Sequence, residues 1–178
     1  MTPNADEAVA GRVWRLGDDI TTDALAAGKY MKLPMELIAT HCLEEVRPEF
    51  AGAAKPGDIV VAGNNFGIGS AREMAPLALK HLGVDVVLAR SFAGLFYRNA
   101  LNLGLAAIVC TDVDRLEDAR RVRFDLVRGE ATLVDTGEIV RCVPMPPFLL
   151  DMVRQGGLIP HLKHRLRASA AQRAASGL

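Results

Sequence analysis

Eleven residues in the first half of the chain carry its most specific chemistry: Gly63-Asn64-Asn65-Phe66-Gly67-Ile68-Gly69-Ser70-Ala71-Arg72-Glu73. Three glycines let the backbone approach a ligand closely, and free N–H groups before a helix favour an anion. Arg72 can grip a carboxylate or phosphate with two parallel hydrogen bonds. Ser70 places a hydroxyl beside that anion site. The segment is not a Walker A loop, which needs Gly-Lys-Ser/Thr, and it lacks the third glycine of the dinucleotide fingerprint. Gly69 abuts Ser70, so the G-x-S-x-G spacing of a nucleophile elbow fails as well. An autonomous serine hydrolase would also need a histidine near Ser70, and no sequence evidence places one there. The same residues have a plainer reading. Ser70-Ala71-Arg72-Glu73 fits the S-x-x-E capping box, in which Ser70 and Glu73 satisfy orphan backbone donors of a helix. Pro76, at the sixth position of that helix, would then make its first turn irregular.

A second polar stretch, Gly17-Asp18-Asp19-Ile20-Thr21-Thr22-Asp23, is turn chemistry, because short side-chain oxygens cap nearby N–H groups. Asp23 either caps that turn or belongs to the site. Asp18 and Asp19 read as loop structure, not as metal ligands. His41, His81, His161 and His164 are scattered without metal-ligand spacing.

Apolar runs bounded by turns must position these residues. Val13–Leu16, Ile59–Ala62, Val84–Ala89 and Leu105–Cys110 read as strands, with helices between the last three, which predicts an α/β core with a mainly parallel sheet. Pro34 and Glu36 favour a short helix to about Leu43. A helix is expected from Phe92 to Leu103, with Ser91 as its cap and Phe92, Leu95, Phe96, Asn99 and Leu103 on one face. Asn99 there reads as a scaffold residue bonding backbone in the core. Val122–Val127, Ala131–Val134 and Glu138–Val143 predict short antiparallel additions, and a helix follows from Phe148 to Gln155. The expected organisation is a flexible 1–11, a single domain over 12–165 and a frayed tail over 166–178.

The chain has 178 residues, half of them hydrophobic, with 21 Lys and Arg against 21 Asp and Glu. That length suits one domain, and that composition excludes intrinsic disorder. Zero net charge argues against a general nucleic-acid binder. No apolar run approaches the roughly 18 residues of a membrane-spanning helix, and the amino terminus resembles no targeting peptide. A cytoplasmic protein is expected. Cys42, Cys110 and Cys142 are odd in number and widely spaced, so they read as small buried hydrophobes and not as a disulfide framework or a self-contained metal site.

Three ordered motifs, residues 17–23, residues 63–73 and Ser91-Phe92-Ala93-Gly94-Leu95-Phe96-Tyr97-Arg98-Asn99-Ala100, resemble the small subunit of 3-isopropylmalate dehydratase. The likeness covers roughly residues 12–160. It is nearest the compact archaeal-type form shared with homoaconitase small subunits. The resemblance implies a swivelling β/β/α domain of the aconitase superfamily, made as a separate polypeptide. It also implies a hydro-lyase of leucine biosynthesis that isomerises 2-isopropylmalate to 3-isopropylmalate. The partner would be a large subunit holding a [4Fe–4S] cluster, in a heterodimer or heterotetramer, while this chain binds no cofactor, nucleic acid or membrane.

Carried over by the same resemblance, Ser70 is the base, Arg72 binds a substrate carboxylate, Asp23 organises the site, and Asp23 with Gly69 and Ala71 beside the serine completes the substrate-binding set. Lys29, Tyr30, Met31, Lys32 and Leu33 match a flexible loop that contacts the substrate's variable group. A cation at Lys32 would suit an extra carboxylate, as on homocitrate-type acids; alternatively Lys32 is a solvated loop lysine. The family pattern has serine at the Ala71 position and histidine at the Met74 position. Losing the second hydroxyl removes one contact worth about 0.5–1.5 kcal/mol. A related dehydratase, acting on homoaconitate or methylated malates, and a non-catalytic anion-binding module are the competing readings.

Overall fold

The computed structural model describes residues 9–175. In chain order its elements are β1 (Val9–Arg15), α1 (Thr22–Leu25), α2 (Met35–Thr40), α3 (Phe50–Ala53), β2 (Ile59–Ala62), α4 (Met74–His81), β3 (Val86–Ala89), α5 (Gly94–Asn102), β4 (Ala106–Val109), β5 (Arg121–Asp125), β6 (Glu130–Leu133), β7 (Ile139–Arg141), α6 (Pro147–Arg154) and α7 (Leu158–Ala175). The strands form one seven-stranded sheet in the order β4-β3-β2-β1-β5-β6-β7. Pairs β1–β2, β2–β3 and β3–β4 are parallel, and β5 to β7 add antiparallel neighbours, as the alternation of runs and turns predicts. The sheet curls, so that beyond β7 the Val143 N–H donates to the Val109 carbonyl of the opposite edge strand at 2.7 Å.

The short runs of β2 and β3 are apolar throughout because both of their faces are covered. Val13, Ile59, Val61, Val86, Leu88 and Ile108 pack on one face with Val122 and Phe124 of β5 and Leu150 and Val153 of α6. Trp14, Val60, Ala62, Val87 and Ala89 pack on the other with Leu25, Ile38, Ala78, Leu79, Phe96 and Ala100. Trp14 is fully buried, and its indole N–H donates to Asp58 at 2.8 Å. That carboxylate also accepts the Arg12 and Lys55 N–H groups, so the buried charge is satisfied.

Several local expectations are corrected. α5 begins at Gly94 with Ala93 as its N-cap and no side-chain cap. The Ser91 hydroxyl instead accepts the Asn65 N–H at 2.9 Å, tying the end of β3 to the glycine-rich turn. The buried face of α5 is Phe96, Ala100 and Leu101, because the helix turns the 96/100 stripe onto one core cluster and Leu101 onto the other, leaving Leu95 exposed. The helix expected to reach about Leu43 stops at Thr40. β1 starts at Val9, inside the segment expected to be flexible, and α7 continues to Ala175 through the expected tail. The rest of those two expectations, residues 1–8 and 176–178, lies outside the described residues.

Candidate active site

The three motifs follow the carboxyl ends of β1, β2 and β3, where parallel sheets of this type bind ligands. Backbone bonds hold the motifs side by side. Thr22 N–H donates to Ile68 at 2.9 Å, Gly67 N–H to Ile20 at 2.7 Å, and Phe66 N–H to Ser91 at 3.0 Å. Asp18 accepts the Asn64 N–H at 2.6 Å and Asp19 accepts the Asn65 side-chain amide at 2.9 Å, so both act as loop structure. The Asn64 N–H holds the Asp18 carboxyl below the usual carboxylate range. Gly67 has φ +80°, and a side chain there would start 2.1 Å from the Phe96 ring. Gly69 has φ +118° and lies against the Thr22 hydroxyl. Only glycine fits either position without strain.

The capping box does not form. α4 starts at Met74, its N-cap is Glu73, and no side chain caps it. Pro76 is therefore the third residue of the helix, where a backbone N–H would have no intrahelical acceptor, and the expected irregularity disappears. Ser70 is left on an exposed turn before the helix, and its hydroxyl makes no hydrogen bond among the described residues. The N–H groups of Gly69, Ser70 and Ala71 likewise meet no acceptor among them, which leaves consecutive donors open to an anion.

Two residues after Ser70, Arg72 is half-buried and turned toward the first motif. Its Nη1 donates to Asp23 Oδ1 and, at 3.0 Å, to the Ala26 carbonyl. Asp23 also accepts the Gly28 N–H at 3.0 Å. The Arg72 bond, then the Gly28 N–H, hold the Asp23 carboxyl below its ordinary range. Asp23 thus orients the arginine as well as bordering the turn.

The 29–33 segment is a short 3-10 turn over Gly28–Tyr30 followed by exposed Met31, Lys32 and Leu33. Lys32 has no ion pair or hydrogen bond among the described residues. Lys29 points away to Glu44, at 2.9 Å. Asn99 faces the site turn, not the core, its amide 3.5 Å from the Ala71 carbonyl. Met74 packs half-buried against the core cluster that includes Ala75, Ala78 and Leu79. Thr22, against Gly69, is the neighbour of the turn whose contact sequence reasoning missed, and outside the site Glu44 and His41 meet the Lys29–Tyr30 turn. A lone glutamate 15 residues beyond Lys29 carries no local signal.

A curled sheet, parallel at its core, thus presents an unengaged serine beside a carboxylate-held arginine at the carboxyl ends of its parallel strands. The aconitase C-terminal domain model matches residues 29–112. The chain is 46% identical over 155 residues to the 3-isopropylmalate dehydratase small subunit 1 of Archaeoglobus fulgidus, covering 86% of this chain and 96% of that one. It is 44% identical over 155 residues to the methanogen homoaconitase small subunit of Methanothermobacter thermautotrophicus, covering 86% and 89%. The crystal structure of 3-isopropylmalate dehydratase from Methanocaldococcus jannaschii superposes with a TM-score of 0.87 at 35% identity, covering 92% of this chain and 98% of that one. The chain belongs to the family of 3-isopropylmalate dehydratase small subunits.

Proposed function

We infer that this chain is the small half of a two-polypeptide hydro-lyase that interconverts 2-isopropylmalate and 3-isopropylmalate by dehydration and rehydration, a step of leucine biosynthesis. The observation that carries the reading is an exposed, unengaged Ser70 hydroxyl two residues from an arginine that Asp23 holds in place. Arg72 binds a substrate carboxylate through the N–H groups that Asp23 and Ala26 leave free. The Ser70 oxygen, as its anion, takes the proton from the carbon next to that carboxylate. The electrons of that C–H bond form the alkene as the hydroxyl leaves the adjacent carbon as hydroxide; hydroxide then adds to the carbon that lost the proton while the Ser70 hydroxyl returns that proton to the carbon that lost hydroxide, which completes the isomerisation and restores the serine anion. A serine anion needs a favourable field, and the free Gly69, Ser70 and Ala71 N–H groups with the Arg72 cation supply it.

The residues present do not fit an iron–sulfur cluster. All three cysteines are buried, burial pushes the Cys42 thiol up, and no group of three potential ligands gathers among the described residues. The family resemblance supplies the partner, a large subunit bearing a [4Fe–4S] cluster, and the chain alone is expected to be inactive. No helix among the described residues is long and apolar enough to cross a membrane.

Free Lys32 favours a second reading, a substrate with an additional carboxylate. The test is anaerobic reconstitution with the cognate large subunit and a panel of isopropylmalate, homoaconitate, methylated malates and citrate. Ser70→Ala should lower kcat by about 10²- to 10⁴-fold without altering Tm, because the hydroxyl acts as the base and is exposed. Retained turnover in that variant refutes Ser70 as the base. Turnover confined to tricarboxylates replaces the isopropylmalate reading with the second one.

A further inference from the structure

Lys29 and Tyr30 of one turn and His41 of the segment after α2 converge on one carboxylate outside the serine–arginine site. Lys29 Nζ lies 2.9 Å from Glu44 Oε1, the Tyr30 hydroxyl donates to the same oxygen at 3.1 Å, and His41 Nδ1 lies 2.7 Å from Oε2. The Tyr30 and His41 rings stack with centroids 3.8 Å apart and planes 14° apart, and Lys29 Nζ lies 4.8 Å above the Tyr30 ring. Glu45, 3.9 Å from Lys29, is the other acidic group facing the cluster. Such a set differs from an isolated surface ion pair, since each donor holds the carboxylate in place for the other two.

The cluster is joined to the active site through its loop. Gly28 N–H is bonded to Asp23, and a side chain at Gly28 would begin 3.3 Å from Arg72 Nη2. The turn is therefore fixed at one end by the Asp23–Arg72 pair and at the other by Glu44. Met31, Lys32 and Leu33 project from it into solvent.

We propose that Glu44 is a positioning residue for substrate selection: by holding Lys29, Tyr30 and His41 together it fixes the turn that presents Met31, Lys32 and Leu33 to the variable group of the substrate. This rests on the reading of the site as a dehydratase half. Glu44 touches no substrate, so its removal acts on substrate fit and not on the proton transfer at Ser70.

Glu44→Ala and Glu44→Gln test it, in the full chain alone and in the complex with its large subunit. In the chain alone, trypsin cleavage after Lys29 and Lys32 should rise at least tenfold in Glu44→Ala and less in Glu44→Gln, which keeps an acceptor for Tyr30, while Tm moves by less than 3 °C. In the complex, Glu44→Ala should raise KM at least fivefold and change the kcat/KM ratio between two substrates of the panel, with kcat within threefold. The proposal is overturned if both tryptic sites stay as protected as in the wild type, or if kcat falls while KM and the substrate ratio stay fixed. An inactive wild-type complex would instead sink the dehydratase reading, and the proteolysis would still report on the turn.

Discussion

Replacing Arg72 by lysine keeps the charge and discards the geometry, which makes it the sharpest probe of the site. In the wild type Nη1 is engaged by the Asp23 carboxylate and, at 3.0 Å, by the Ala26 carbonyl, and the remaining guanidinium N–H groups stay available to an incoming carboxylate. A lysine ammonium on a shorter, flexible stem cannot bond Asp23, Ala26 and substrate with one fixed fork. One charge-assisted hydrogen bond to substrate is lost, worth about 1.5–3 kcal/mol. At 1.4 kcal/mol per factor of ten, kcat/KM should fall about 10- to 150-fold. Stability should change little, because the Asp23 side chain is 63% exposed and pairs of that kind contribute about 0–1 kcal/mol. Initial rates of the reconstituted complex with increasing substrate, set beside a thermal melt of the chain alone, measure both quantities. An Arg72→Lys complex within threefold of wild-type kcat/KM would refute carboxylate binding by this arginine. A large drop in Tm would show that Arg72 mainly supports the scaffold.

Gly67→Ala should destabilise the chain by about 2–4 kcal/mol, since φ is +80° and the new methyl would start 2.1 Å from the Phe96 ring. Tm would then fall by roughly 5–15 °C, and an unchanged melt would show that the turn and α5 move apart freely. Lys29 first, then His41, hold the Glu44 carboxyl down at about 2, below its ordinary 4.5. A depressed folded value means that the contribution of Glu44 is complete above about pH 4.5 and is lost as pH falls toward 2. Hydrogen exchange of the 28–33 amides should accordingly accelerate over that interval, before the amides of the central strands; release already at pH 6 would contradict the carboxylate's role.

Periodicity and punctuation made the strands legible. Ile59–Ala62 and Val86–Ala89 are short apolar runs between turn residues, and such runs have few alternatives to a covered parallel strand. The glycine-rich turn was equally plain, because φ values of +80° at Gly67 and +118° at Gly69 demand that residue type. The start of α4 was not legible. Ser70-x-x-Glu73 satisfies the local rule for a cap, yet the contacts of the turn with Ile20, Thr22 and Ser91 delay the helix to Met74. Tertiary bonds outweighed a cap of about 1 kcal/mol.

The sequence by itself determined the α/β class, the order of the motifs and the chemical types at positions 23, 70 and 72. Those follow from side-chain chemistry and from patterns a few residues long. Only the tertiary structure decided that Asp23 holds Arg72, that Ser91 braces Asn65 in place of capping a helix, and that Glu44 gathers Lys29, Tyr30 and His41. The parallel sheet brings distant chain segments to one edge, as for Arg72 and Asp23, 49 residues apart. Hydrogen bonds made across such separations depend on distance in space, which local sequence rules do not encode.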